Sequence, residues 1–261
     1  MAKFSANLTM LFTELPFLDR FRGASRAGFR GVEYVSPYEF YPGDISDRLK
    51  ANRLKQVLFN LPVGNWNAGE RGIAIFADRR DEFRDGIATA IRYAKALDCP
   101  QVNCLAGIAP DSSDPGELRA TLVENLRYAS SELGREGIRL LIEPINTRDM
   151  PGFFLNTTVQ ALDLIRDVAS PNLFLQYDVY HMHIMEGGTR ETLSRNLDLI
   201  KHIQIADHPG RHEPGSGEIA YTDILKHIDD IGYDGWIGAE YKPAGVTADG
   251  LGWMQKFGAI G

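Results

Sequence analysis

Cysteine is scarce: Cys99 and Cys104 are the only two in the 261-residue chain. They flank a short apolar run that reads as a buried strand. A disulfide-built secreted domain needs more of them, so two reduced, core-type thiols in a reducing cytoplasm are expected. Positive charge is also short, with 28 Lys+Arg against 35 Asp+Glu for a net −7. A field of that sign repels phosphate backbones and anionic bilayers, so neither nucleic acid nor a membrane is expected as a partner. No stretch approaches the ~18 consecutive apolar residues of a membrane span, and the first residues lack an export signal's basic and apolar segments. The phosphate-cradling patterns G-x-G-x-x-G and G-x-x-x-x-G-K-[ST] are missing, and so is the G-x-S-x-G elbow of serine hydrolases. Covalent catalysis has no support either, because neither cysteine has an evident base nearby in sequence.

What the chain does contain is alternation. With 44% hydrophobic and 24% charged residues the composition is that of an ordinary globular protein. Apolar, β-rich runs recur at 4–8, 31–35, 54–60, 101–105, 138–143, 173–178, 200–206 and 236–241. Segments with helical spacing lie at 17–27, 45–52, 80–97, 115–134, 158–168, 189–196, 221–231 and 248–257. Eight units in 261 residues give about 33 residues each, enough for one strand and one helix. Strict alternation argues for a parallel sheet with helices outside it. The expected fold is therefore a single α/β domain over 1–261, a (β/α)8 TIM barrel, with a doubly wound open sheet as the structural alternative. The longest irregular stretch, 61–78, follows the third strand, and loops of that length inside a compact domain are usually functional.

Barrel enzymes place their chemistry at the C-terminal ends of the strands. The fifth run ends at Glu143, the sixth at Asp178, the seventh carries Gln204 and the eighth reaches Glu240. Three carboxylates sharing one rim repel unless a cation sits among them. An all-oxygen donor set favours a hard divalent ion, Mg2+ or Mn2+, over zinc. His181, just past the sixth strand, is expected to donate a hydrogen bond to substrate, with His183 structural or exposed. Arg71 and Arg211 fall on strand-following loops and are candidates to clamp an anionic substrate by bidentate contacts. Glu70 and Lys242 are further candidates beside the same rim.

These residues lie in longer runs: Phe4-Ser-Ala-Asn-Leu-Thr-Met10, Asn60 to Gly72, Leu141-Ile-Glu-Pro-Ile-Asn146, Gln176-Tyr-Asp-Val-Tyr-His181, His202-Ile-Gln-Ile-Ala206 and Gly235 to Pro243. On them, the chain resembles the hydroxypyruvate isomerase family, within the xylose-isomerase-like barrels that also include ketose 3-epimerases and an apurinic endonuclease barrel. The resemblance implies that Glu143 and Glu240 act as proton donor and acceptor and that Glu143, Asp178, Gln204 and Glu240 hold a metal. It implies hydroxypyruvate and tartronate semialdehyde as the interconverted pair, passing through an enediolate. Gln204 departs from the histidine of related epimerases at the seventh strand. The 2-oxo-tetronate isomerases look similar in most motifs, while the Glu70-Arg71-Gly72 and Ile142–Asn146 segments lean towards hydroxypyruvate. The rival readings are a related ketose isomerase or epimerase, an endonuclease-like barrel, and a sugar-acid-binding barrel without chemistry. The expected partners are a small anionic 2-oxo acid and, at most, further copies of the chain in a homo-oligomer.

Overall fold

The structure, a computed structural model, describes residues 2–257. The strands are β1 Lys3–Asn7, β2 Gly31–Tyr34, β3 Lys55–Asn60, β4 Gln101–Cys104, β5 Arg139–Ile142, β6 Leu173–Asp178, β7 Ile200–Ile205 and β8 Trp236–Ala239. Each pairs in parallel with the next, and β8 returns to β1 through Lys3↔Trp236 and Ala6↔Ala239. The barrel is closed and has no free edge, so the open-sheet alternative is set aside. The expected domain of 1–261 extends to Met1 and 258–261, which lie outside the described residues.

The helices are α1 Phe17–Arg26, α2 Pro42–Ala51, α3 Arg80–Leu97, α4 Pro115–Arg135, α5 Thr158–Val168, α6 Val179–Met185, α7 Thr189–Arg195, α8 Tyr221–Asp230 and α9 Gly252–Lys256. Their causes are local. In α3, Phe83, Ile87, Ala90, Ala94 and Leu97 are buried at three- and four-residue spacing, which turns one stripe onto the barrel. In α4, the Asp114 side chain accepts from Glu117 N at 2.9 Å and Pro115 fills the first turn, where its missing N–H costs nothing. Burying an aliphatic side chain such as Leu126 or Leu133 contributes about 1.5–3 kcal/mol, so the stripe rather than intrinsic propensity holds each helix in place. No described helix is long and apolar enough to cross a membrane.

Three boundaries differ from expectation. The second helix starts at Pro42 rather than 45, since proline is well placed at a first turn. The closing segment is a short 3-10 turn, Thr247–Gly250, followed by α9, with Gly250 and Gly252 interrupting a continuous helix. Helix α6 was not anticipated at all. Asp178 ends β6 and caps α6 in the same step, its Oδ1 accepting from Tyr180 N at 2.8 Å and His181 N at 3.4 Å.

The barrel interior has two characters. Val57, Leu58 and Leu141, with Phe174 and Trp236 against them, form a small apolar cluster. Ser5, Asn7, Glu33, Asn103, Gln176, Asp178, His202 and Gln204 are all buried polar residues on the strands. Buried polar groups need partners, and theirs are mostly one another.

Candidate active site

Glu143 and Glu240 lie one residue beyond the paired part of β5 and β8, while Asp178 and Gln204 sit opposite each other in the β6–β7 register. All four of the strand-end residues named from sequence thus reach the C-terminal rim. Asn103 Nδ2 donates to Glu143 Oε2 at 2.9 Å, and Asn7 Nδ2 donates to Glu240 Oε1 at 2.8 Å. Two neutral amides therefore aim the two glutamates from neighbouring strands.

A counter-charge is built into the rim. Arg211 Nη2 lies 2.6 Å from Glu240 Oε2 and 3.6 Å from Asp178 Oδ2, with the arginine side chain 17% exposed. Its Nε also donates to the Glu240 carbonyl at 3.3 Å. Arg211 takes a left-handed backbone, φ 60°, flanked by the Asp207↔His212 bridge and by Lys242 N donating to its carbonyl at 2.7 Å. A non-glycine residue in that region is strained, and the strain is held by these contacts. Three carboxylates with no opposing charge are what the strand ends alone predict; the rim instead holds Arg211 among them.

Burial dominates the titration. It pushes Glu143 well above the usual carboxylate range, and the charges of Glu240 and Asp178 add to the rise. Glu240 is pushed up to about 8 by burial, Arg211 pulling down and Asp178 and Glu33 pushing up. Asp178 is raised by burial against the pull of Arg211 and of its two backbone donors. Such a group shares protons as a set. Arg211 hydrogen-bonds Glu240 directly, which makes Glu240 the more readily ionised of the two glutamates.

His181 completes the constellation. Asn146 Oδ1 accepts from Arg148 N at 3.0 Å and Asp149 N at 2.8 Å, so its amino group faces His181 Nδ1 at 2.6 Å and Asp149 Oδ2 at 3.1 Å. Nδ1 must then accept, and the proton resides on Nε2. That Nε2 lies 3.5 Å from Asp178 Oδ2. Burial, reinforced by Arg211, holds His181 well below the ordinary imidazole range and keeps it neutral. Candidate ligand atoms of Glu143, Asp178 and His181 all lie within 4.8 Å of one another. With Nδ1 accepting from Asn146 and the proton on Nε2, however, His181 has no free lone pair, so in this arrangement the two carboxylates are the ligands and His181 is a donor. Asp178 Oδ2 is buried with no hydrogen-bond partner among the described residues, which fits a cation-ligating oxygen.

Of the remaining sequence candidates, Arg71 and Glu70 bond within their own loop and Lys242 lies beside the rim. Arg71 stacks on Trp66, its guanidinium carbon 3.6 Å from the ring centroid, and donates to the carbonyls of Trp66 and Glu70. With Phe76, Arg79 and Ile108 it lines a cavity of about 330 Å3 that none of the strand-end residues touches. Glu70 accepts from Asn65 N and pairs with Arg79, so it staples its own loop. Lys242 is beside the rim: its backbone N–H meets Arg211, and against the rise from burial Asp149 is held below the usual range by hydrogen bonds from Tyr180 and Asn146, then by the charges of Arg211 and, last, Lys242. A cavity of about 620 Å3 between α7 and α8, lined by Ser194, Asp223 and His227, lies away from the strand ends. Volume is therefore a poor guide to the site in this molecule.

Comparison with known proteins agrees with the barrel fold. The family model described as "Xylose isomerase-like TIM barrel" matches residues 21–257. The chain belongs to that family. It is 52% identical over 257 residues to the hydroxypyruvate isomerase of Escherichia coli K12, covering 98% of this chain and all of that protein. It is 44% identical over 257 residues, 98% of this chain and 99% of its counterpart, to a 2-oxo-tetronate isomerase of Cupriavidus necator. A crystal structure named as an AP endonuclease, family 2, from Brucella melitensis superposes with TM-score 0.96 at 44% identity, covering 98% and 99% of the two chains. Relatives named as isomerases at this identity make the chain an isomerase-family enzyme of intramolecular oxidoreductase type.

Asn7, Glu33, Asn103, Asn146, Gln176 and His202, the polar frame behind the rim, do not stand out in the sequence. One signal was available for Glu33: it is a lone carboxylate between Val32 and Tyr34 inside the second β-rich run.

Proposed function

We propose that this protein interconverts hydroxypyruvate and tartronate semialdehyde by proton transfer between two glutamates. The observation that carries the reading is the convergence of Glu143 and Glu240 in a buried barrel mouth, each aimed by an amide, with Arg211 bonded to only one of them. Two carboxyl groups held in different protonation states are what a 1,2-carbonyl shift requires. Glu240, eased towards its ionised form by Arg211, removes a proton from the hydroxymethyl carbon C3 and leaves an enediolate. Neutral Glu143 gives its proton to C2. The O3 proton passes to O2, so the product has the aldehyde at C3 and the hydroxyl at C2. Return of a proton from Glu240 to Glu143 within the proton-sharing set restores both glutamates for the next turnover with no net gain or loss. His181, with its proton on Nε2, donates to a substrate oxygen and stabilises the charge that develops there.

Arg211 is the proposed clamp for the substrate carboxylate, with Lys242 adding positive potential beside it, because Arg211 is the guanidinium among the strand-end groups. Arg71, stacked on Trp66, and Glu70, paired with Arg79, rank below Arg211 as substrate contacts because their bonds are made within their own loop. Glu143, Asp178, Gln204 and Glu240 would hold a divalent ion, Mg2+ or Mn2+. Such an ion supplies Lewis-acid polarisation of the substrate oxygens. The net charge of −7 disfavours a nucleic acid as substrate.

The relatives named 2-oxo-tetronate isomerase, at up to 44% identity, keep the four-carbon 2-oxo acid as the second reading. Proton NMR of purified enzyme with hydroxypyruvate and, separately, with a 2-oxo-tetronate decides between them. Faster turnover of the three-carbon acid, with tartronate semialdehyde signals appearing, is expected. A higher kcat/KM on the four-carbon acid moves the assignment, and no turnover of either leaves a binding barrel.

A further inference from the structure

Beneath the rim, Glu33 of β2 is fully buried and crosses the barrel interior to β8. An ideal Cβ on Gly238 would lie 2.3 Å from Glu33 Oε1, 2.4 Å from Oε2 and 2.6 Å from Cδ, so the carboxylate occupies the space that any other residue at 238 would fill. Around it stand Ser5 Oγ at 2.7 Å, Gln204 Nε2 at 2.7 Å, His202 Nε2 at 2.9 Å and Asn7 Nδ2 at 3.4 Å. Two of these four touch the reacting rim. Gln204 is one of its members, and Asn7 uses its amino group to aim Glu240.

An amide has two ends, and burial alone does not decide which faces where. A carboxylate only accepts, so beside Glu33 the Gln204 nitrogen is fixed and the oxygen is forced the other way. That oxygen accepts from Gln176 Nε2 at 2.7 Å, on the strand that carries Asp178. Asn7 is fixed in the same sense, its Oδ1 taken by Thr9 N at 3.0 Å and its amino group shared between Glu33 and Glu240. We infer that Glu33, seated against Gly238, is a positioning residue that sets the amide orientation of Gln204 and thereby makes its oxygen available to a cation. The cation half of this inference rests on the metal reading of the previous section; the orientation half does not.

Two readouts separate them. In protein labelled with 15N-glutamine, the Gln204 side-chain amide, assigned by its loss in Gln204→Met, is expected to show one strongly downfield proton from its bond to a carboxylate. That shift should collapse in Glu33→Gln and also in Gly238→Ala, which keeps Glu33 but crowds it out of its seat. Mn2+ affinity, read by the paramagnetic relaxation of water protons, should fall about 10–100-fold in both variants, the usual cost of losing an outer-shell partner. Glu33→Gln should add little further loss in the Gln204→Met background. An unchanged Gln204 amide shift in folded Glu33→Gln overturns the inference, and so do losses of Mn2+ affinity that multiply in the double variant. Absence of Mn2+ binding in the parent removes the metal reading alone, and the amide shift still decides for or against Glu33.

Discussion

Two loops follow strands of this barrel, each carrying an arginine, and they spend that charge differently. The loop after β7 brings Arg211 between Glu240 and Asp178 at 17% side-chain exposure. The loop after β3 folds Arg71 onto Trp66, itself 40% exposed, and closes on itself through Glu70 and Arg79. From sequence the two arginines looked alike, and Arg71 had the longer loop. What separates them is what lies below. The carboxylates of β5, β6 and β8 draw in a cation, whereas above β3 the strand ends in Asn60, which offers no charge to attract one.

The largest effect should come from the groups both loops surround. Glu143→Gln and Glu240→Gln are each expected to lower kcat by about 10²-fold or more, the scale of general acid/base catalysis, with native circular dichroism. Near-parental turnover in either would leave Arg211 guarding nothing of importance. Chelation comes next: EDTA should reduce activity and Mg2+ or Mn2+ restore it, and full activity in enzyme shown metal-free by elemental analysis would put the whole electrostatic role on Arg211.

The comparison itself is broken or sharpened by removing each arginine. Arg211→Met should raise KM for hydroxypyruvate by about 1.5–3 kcal/mol, roughly 10–100-fold, the scale of a charge-assisted hydrogen bond. Arg71→Met should change KM much less. Steady-state kinetics on both variants settle the ranking, and a larger effect at Arg71 would mean that its loop unfolds from Trp66 and closes over bound substrate.

A smaller effect is thermal. In chelator, Glu240 is held near 8, above its value in the unfolded chain, so the folded state keeps a proton that the unfolded state has released. Its contribution is complete below the unfolded value and is lost as pH rises towards 8, so Tm should fall between pH 5 and pH 8. Glu240→Gln should flatten that slope. At about 2–4 °C per kcal/mol for a chain of this length, differential scanning calorimetry will resolve it. A parent and variant with parallel slopes would remove the buried-proton account of Glu240.

The alternation of runs made the barrel legible, because each strand and each helix stripe announces itself within its own ten or twenty residues. The four strand-end residues were legible for the same reason: each polar side chain stops or interrupts an apolar run. Helix α6 was not, because Val-Tyr-His-Met-His after Asp178 continues an apolar pattern and the cap that turns it helical is one side chain doing two jobs. The seat of Glu33 was hidden because only closure of β8 onto β1 brings Gly238 opposite it. Arg211 could not be told from Arg71, since its partner Glu240 lies 29 residues away in the chain.

The central claim, that one glutamate removes the C3 proton and the other supplies the C2 proton, is tested most directly in D2O. Hydroxypyruvate is incubated with the parent, Glu143→Gln and Glu240→Gln while NMR follows both loss of the C3 proton signal and formation of tartronate semialdehyde. The account predicts that Glu143→Gln still exchanges the C3 proton for deuterium while making little product, and that Glu240→Gln does neither. Exchange surviving in Glu240→Gln but not in Glu143→Gln, or product formed at the parental rate by either, would contradict it.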